Sequence, residues 1–234
     1  MIEVRPFSSL GAFRNEWLNA KHHFSFGGYR DAKRMGFGAL RVWNDDEIAP
    51  GTGFDAHPHR DMEIVTFIRQ GAITHRDSLG NEGVTRAGDV QVMHAGTGII
   101  HAELNRETEL TRLFQIWIFP DQEDVKPGWG TREFPRETGQ GLHVLASGRA
   151  EDEDSGALPL YADAAVLAAK LGAGEKAHYT LGQGRAAYLV ATGGDIKVNG
   201  VPAHARDGVA LHEEKEIEIE AAQGAEIVLV DVRA

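Results

Sequence analysis

The chain has 234 residues, enough to bury a good core as one domain or as two of ordinary size. Its 24 basic and 35 acidic residues leave a net charge of -11, which argues against direct nucleic-acid binding and against adhesion to a membrane surface. It has no cysteine, so disulfides and thiol chemistry are excluded.

Taken in order, Met1 to Pro6 lacks the basic-then-apolar layout of a secretory signal. No later apolar run approaches the roughly 20 residues of a membrane helix, so a soluble cytoplasmic protein is expected. Ile2 to Phe7 reads as an edge strand ended by Pro6. Ala12 to Ala20 predicts a short helix with cap residues at Ser8-Ser9. Lys21-His22-His23 has the residue types of a metal tract, but the aromatic run that follows favours packing or hydrogen-bonding histidines at a strand start. Ala39 to Asn44 is a strand, followed by a turn at Asn44-Asp45-Asp46. Met62 to Arg69 is another, and Ala72 to Arg76 returns after Gln70-Gly71 as a hairpin arm. Ser78 to Gly83 and Ala87-Gly88-Asp89 are turns, and Val90 to Met93 is a strand. Leu113 to Phe119 is a strand stopped by Pro120, with Gln115 and Trp117 on one face and Phe114, Ile116 and Ile118 on the other; which set lines a pocket is left open by the pattern.

Two stretches in this half carry the residue types of a metal site. The first, Gly51 to Glu63, contains His57-Pro58-His59; the second, Gly96 to Asn105, contains His101-Ala102-Glu103. In an extended strand, residues two apart share a face, so each pair projects one way. If both strands face one interior, His57, His59, His101 and Glu103 converge. Such a mixed nitrogen and oxygen set suits a transition metal rather than calcium or magnesium. Four protein ligands on an octahedral ion leave two positions open, as a reactive site requires. Pro58 has no amide hydrogen, which predicts an edge or a bulge for its strand. A phosphate-loop reading of Gly96-Thr97-Gly98 fails for want of a following Lys-Ser/Thr.

The spacing Gly51-x5-His57-x-His59-x3-Glu63 fits the first cupin motif, with Gly71 one residue late. Gly88, Gly96, Gly98, His101 and Asn105 resemble the second, with His94 standing where proline is common. Beyond that, the chain resembles the pirin family, closest to the bacterial pirin-like quercetin dioxygenases. The match runs through His23 to Tyr29, Gly36 to Val42, Gly53 to Glu63, Gln91 to Met93, Ala95 to Glu103 and Gln115 to Ile118. The resemblance implies an all-β bicupin, two tandem jelly-roll barrels, with His57, His59, His101 and Glu103 as metal ligands. It implies a divalent transition metal, Fe(II) first, with Mn, Co, Ni, Cu and Zn as alternatives. Glu63 is not a ligand in that family, and a hydrogen bond to a ligand histidine is expected of it.

Asp121 to Gly141, rich in proline, glycine and charge, reads as the connection between halves. This gives a metal-binding cupin domain at 1–137 and a cupin-like domain without a metal site at 138–234. In the second half Leu142 to Ser147 resumes as a strand, and Glu151 to Asp154 is a solvated acidic loop. Ala162 to Leu171 reads two ways: its alanines favour a helix, its place in the pirin plan favours β, and a strand is the expectation. Further strands fall near 177–181, 186–191, 195–198, 209–211, 216–221 and 225–232. His178, His204 and His212 stand singly and read as surface or core histidines.

The resemblance further implies quercetin 2,3-dioxygenase activity. A flavonol such as quercetin binds through its 3-hydroxyl, Glu103 serves as catalytic base as well as ligand, and O2 opens the heterocycle with release of carbon monoxide. The rival reading is a non-catalytic, metal-dependent regulatory cofactor of pirin type that binds a protein partner. A third is a cupin isomerase or hydrolase using the same metal.

Overall fold

A computed structural model describes residues 1–134, 137–139 and 141–234. The strands of the first half are β1 (Ile2–Arg5), β2 (Gly11–Arg14), β3 (Leu18–His22), β4 (Leu40–Ile48), β5 (Gly53–His59), β6 (Glu63–Gln70), β7 (Ala72–Asp77), β8 (Glu82–Arg86), β9 (Val90–His94), β10 (Ile99–Leu104), β11 (Thr111–Ile118) and β12 (Gly128–Arg132). Those of the second half are β13 (His143–Ser147), β14 (Leu158–Pro159), β15 (Ala164–Leu171), β16 (Lys176–Thr180), β17 (Arg185–Gly193), β18 (Ile196–Val198), β19 (Val201–Ala203), β20 (Gly208–His212), β21 (Glu216–Ala221) and β22 (Ala225–Arg233). Two short 3-10 turns, Phe7–Ser9 and Ala150–Asp152, are the helical elements among the described residues. The all-β expectation holds.

Each barrel pairs a seven-stranded sheet with a four-stranded one. The first joins β12-β9-β6-β11-β4-β3-β2 to β5-β10-β7-β8; the second joins β1-β20-β17-β22-β15-β13-β14 to β16-β21-β18-β19. The chain's first strand therefore belongs to the second barrel, where β1 lies against β20 at the sheet edge. The two seven-stranded sheets stack back to back. One core cluster fills the seam, with Trp43, Phe114 and Ile116 from one side and Val166, Tyr188 and Val230 from the other. Full burial of such a side chain contributes roughly 1.5–3 kcal/mol, so the seam welds the halves together. A buried Asp45 adds an ionic link, since it pairs with Arg69 of its own barrel and with Arg206 of the other.

This layering explains the alanine-rich β15. One face packs in the seam through Ala164 and Val166, and the other fills the second barrel through Ala165 and Leu167. A strand covered on both faces is apolar almost throughout, here everywhere but the exposed Lys170, so β wins over the helical preference of alanine. The interior of the second barrel is apolar, with Leu189, Ile217, Ile219 and Leu229 packed together. His178, His204 and His212 are exposed, as the surface reading required.

Several expectations are corrected. The predicted helix over Ala12 to Ala20 is the hairpin of β2 and β3. Asn15 Oδ1 accepts the amides of Trp17 and Leu18, which turns the chain sharply instead of capping a helix. The predicted turn at Asn44-Asp45-Asp46 lies inside β4, because His22 and Arg69, distant in sequence, pair with Asn44 and Asp45. β7 does not fold back on β6; it leaves for the other sheet and pairs with β8 and β10. The presumed connection contains β12, which pairs with β9; Pro135, Arg136 and Gln140 of that stretch lie outside the described residues. His22 and His23 are buried hydrogen-bonding residues: His22 Nδ1 donates to Asn44 Oδ1 at 2.8 Å, and His23 Nδ1 lies 2.9 Å from the Tyr188 hydroxyl.

Candidate metal centre

The centre is built on β5 and β10, which run antiparallel with His57 opposite His101 and His59 opposite Ile99. Alternation along β5 brings His59 to the same face as His57. β5 is the edge strand of its sheet, which accommodates Pro58. A bulge shifts the register so that Glu103 faces Phe54, and bulges of this kind re-aim side chains beside sites. Two glycines allow the close packing around it. A Cβ on Gly53 would stand 2.2 Å from the Glu103 carbonyl oxygen, and one on Gly96, at φ +41, 2.0 Å from that of Val125.

The three imidazoles converge. Ring centres lie 4.6 Å apart for His57 and His101, 4.8 Å for His57 and His59, and 4.9 Å for His59 and His101. One ligand nitrogen from each falls within 4.8 Å of the others. His57 Nδ1 donates to the Asp55 carbonyl at 2.7 Å, which leaves the Nε2 lone pair free. His59 Nε2 and both nitrogens of His101 are buried with no hydrogen-bond partner among the described residues. Leaving such atoms unsatisfied costs about 1–3 kcal/mol each, so the cluster fits a divalent metal that takes up their lone pairs. Burial, then the neighbouring imidazoles, push His59 down to about 4 and His101 to about 2. Both rings are therefore neutral at pH 7, the form that ligates.

Glu103 is buried on the same strand and hydrogen-bonded on both oxygens. Gln91 Nε2 and Thr66 Oγ1 donate to Oε1 at 2.6 and 3.2 Å, and Gln115 Nε2 donates to Oε2 at 2.5 Å. A carboxylate has about four lone-pair positions; these three bonds leave one, on Oε2. Burial pushes Glu103 up to about 7, against the lowering effect of Thr66, Gln115 and Gln91.

The open question of β11 is answered here. Gln115 and Trp117 face the centre, Trp117 with its ring 4.9 Å from His59, while Phe114, Ile116 and Ile118 pack in the seam. Glu63 differs from expectation: it accepts from His94 Nδ1 at 2.6 Å and from the Tyr161 amide, and holds none of the three clustered histidines. Three neighbours were not foreseen. Asp46 faces the same interior, held well above the usual carboxylate range by burial, Asp45 and Glu103. His75 and Asp77 lie on β7 opposite Glu103 and His101; a His-x-Asp pair on a strand is their sequence signal. A surface depression of about 520 Å³ is lined by Pro58, His59, Arg60 and Ile100, among others. A larger one of about 910 Å³, on the second half between Thr180–Arg185 and His212–Lys215, holds none of the clustered residues.

Known proteins resemble the chain along nearly its whole length. The Pirin family model matches residues 3–118, and that of the quercetinase C-terminal cupin domain matches residues 144–232. A Pseudomonas aeruginosa protein, named provisionally as a quercetin 2,3-dioxygenase, is 57% identical over 233 residues, covering 99% of this chain and 100% of its own length. The Escherichia coli K12 protein named quercetin 2,3-dioxygenase is 38% identical over 233 residues, covering 99% of both chains. The crystal structure of the bacterial pirin YhhW from Escherichia coli in complex with nickel(II) superposes with a TM-score of 0.93 at 37% identity, covering 100% of this chain and 99% of that one. With both barrels matched and the histidine cluster at the heart of the first, the chain belongs to the pirin family, as a protein of two tandem cupin barrels.

Proposed function

We propose that this protein is a metal-dependent oxygenase of the quercetin 2,3-dioxygenase type, acting on a flavonol-like substrate with O2. In this reading His57, His59, His101 and Glu103 hold the metal, Fe(II) first. The metal-bearing barrel lies within 1–137, apart from β1, which joins the second barrel; 138–234 supplies the rest of its packing partner. The carrying observation is the set of buried, unpaired ring nitrogens on His59 and His101, gathered with His57; Glu103, buried on the same strand as His101, lies outside that cluster of ligand atoms. The names of the relatives support the substrate class.

When bound, a divalent metal supplies polarisation of a substrate oxygen and, as iron, access to dioxygen chemistry. The chain's own residues do the rest. Glu103 takes the proton of the substrate hydroxyl, at an oxygen whose position Gln91, Gln115 and Thr66 fix. Trp117, packed with Ile64, Met93 and Ile99, keeps water from the reacting face. No helix among the described residues is long and apolar enough to cross a membrane.

The test is an aerobic assay of the iron-loaded protein with quercetin. Loss of the flavonol absorbance with release of carbon monoxide is expected. Absence of turnover with Fe, Mn, Co, Ni, Cu and Zn alike would overturn the proposal, and recovery of a specific protein partner would then favour the regulatory reading.

A further inference from the structure

The deepest of the three histidines has a bonding requirement that the metal alone does not meet. A metal-bound imidazole uses one nitrogen as ligand and carries its proton on the other, which nearly always donates to a carboxylate, a carbonyl or water. His57 satisfies this rule through the Asp55 carbonyl. His101 does not: it is 2% exposed, and neither nitrogen has a partner among the described residues. Whichever nitrogen serves the point shared with His57 and His59, the other needs an acceptor.

One unpaired acceptor stands beside it. The His75 ring centre lies 5.4 Å from that of His101, and His75 Nδ1 is buried without a partner. His75 Nε2 lies 3.0 Å from Asp77 Oδ2. A carboxylate can only accept, so Nε2 carries the proton and Nδ1 presents its lone pair. Three further hydrogen bonds pin Asp77, from the amides of Leu79 and Asn81 and from Asn81 Nδ2. His75 stacks on Trp129 at 4.8 Å with planes 6° apart, which holds its ring in one orientation. Trp129 in turn packs where Gly83 has no side chain; a Cβ there would stand 2.3 Å from the indole.

We propose that His75 is a positioning residue for the metal ligand His101. Asp77 sets its tautomer, Trp129 sets its plane, and Nδ1 accepts the His101 N–H. The 5.4 Å between ring centres suits either a direct ring-to-ring bond after a small rotation or one bridging water. The chain Asp77, His75, His101 thus aims the imidazole and raises its basicity. The proposal rests on the metal reading of the centre.

Co(II) is added stepwise to metal-free protein, and its visible absorption bands report affinity and ligand geometry. His75→Phe keeps an aromatic ring against Trp129 and removes both ring nitrogens. It is expected to weaken Co(II) about 10–100-fold and to shift the bands, with thermal stability of the metal-free protein retained. Binding by His75→Phe within twofold of the parent, with unchanged bands, overturns the proposal. If the parent itself binds no Co(II), the metal reading fails first, so the two failures are distinct. If His75→Phe does not fold, nitrogen-15 NMR of the Zn(II)-loaded parent decides instead. A proton on His75 Nε2 with bare Nδ1 is expected, and a proton on Nδ1 overturns it.

Discussion

Replacing His101 with alanine is expected to remove the bound metal and the turnover together. His101 is the hub of the cluster, with ring centres 4.6 Å from His57 and 4.9 Å from His59. Without it two imidazoles and a carboxylate remain, and the loss of a ligand takes much of the affinity with it. The metal-free protein suffers less. Truncation opens a cavity, which costs about 2–5 kcal/mol. It also deletes two buried nitrogens that have no partner, each of which costs about 1–3 kcal/mol, so the two effects largely offset. The metal-free variant is therefore expected to melt within a few degrees of the parent, whereas the stabilisation conferred by metal disappears. At a free metal concentration of 100 times Kd that stabilisation is about 2.7 kcal/mol. Metal analysis with paired thermal melts reads both effects. Full metal occupancy in His101→Ala would refute its role as a ligand.

Glu103→Gln is expected to keep metal on the three histidines and to lose at least about 100-fold in turnover, the lower range for a positioned general base. The surrounding amides make a carboxylate obligatory. Trp117 Nε1 donates to Gln115 Oε1, and Thr85 Oγ1 donates to Gln91 Oε1. Both amides are thus turned so that their NH2 groups meet residue 103, one on each oxygen. A glutamine there must point its own NH2 at one of them, so the variant is also less stable, by about 1–3 kcal/mol. Turnover measured per bound metal separates the effects. Unchanged turnover would refute the base role and leave Glu103 a structural acceptor.

The core of this arrangement was legible because it repeats a local period. His57 and His59, like His101 and Glu103, are spaced to share a strand face; the three imidazoles converge while Glu103 stays outside their cluster, and glycines mark where neighbouring backbone passes close. Most strands announced themselves in the same way, through alternation and turn residues. What escaped depends on partners far along the chain. Asp45 looks like a turn residue until Arg69 and Arg206 close on it. Nothing in Ile2–Arg5 tells that this strand serves the second barrel. His75 and Asp77 escape notice because a hairpin arm after Gln70-Gly71 places this stretch against β6, whereas the departure of β7 to the other sheet sets it between β8 and β10. The amide orientations of Gln91 and Gln115 follow from Thr85 and Trp117, contacts that no spacing rule conveys.

Anomalous X-ray scattering at the iron edge, from crystals of the Fe(II)-loaded protein, puts the site to the most direct test. One peak is expected, within bonding distance of ring nitrogens of His57, His59 and His101 and of a Glu103 oxygen. A peak elsewhere, such as against an exposed histidine of the second barrel, or one that leaves these imidazoles unligated, would contradict it.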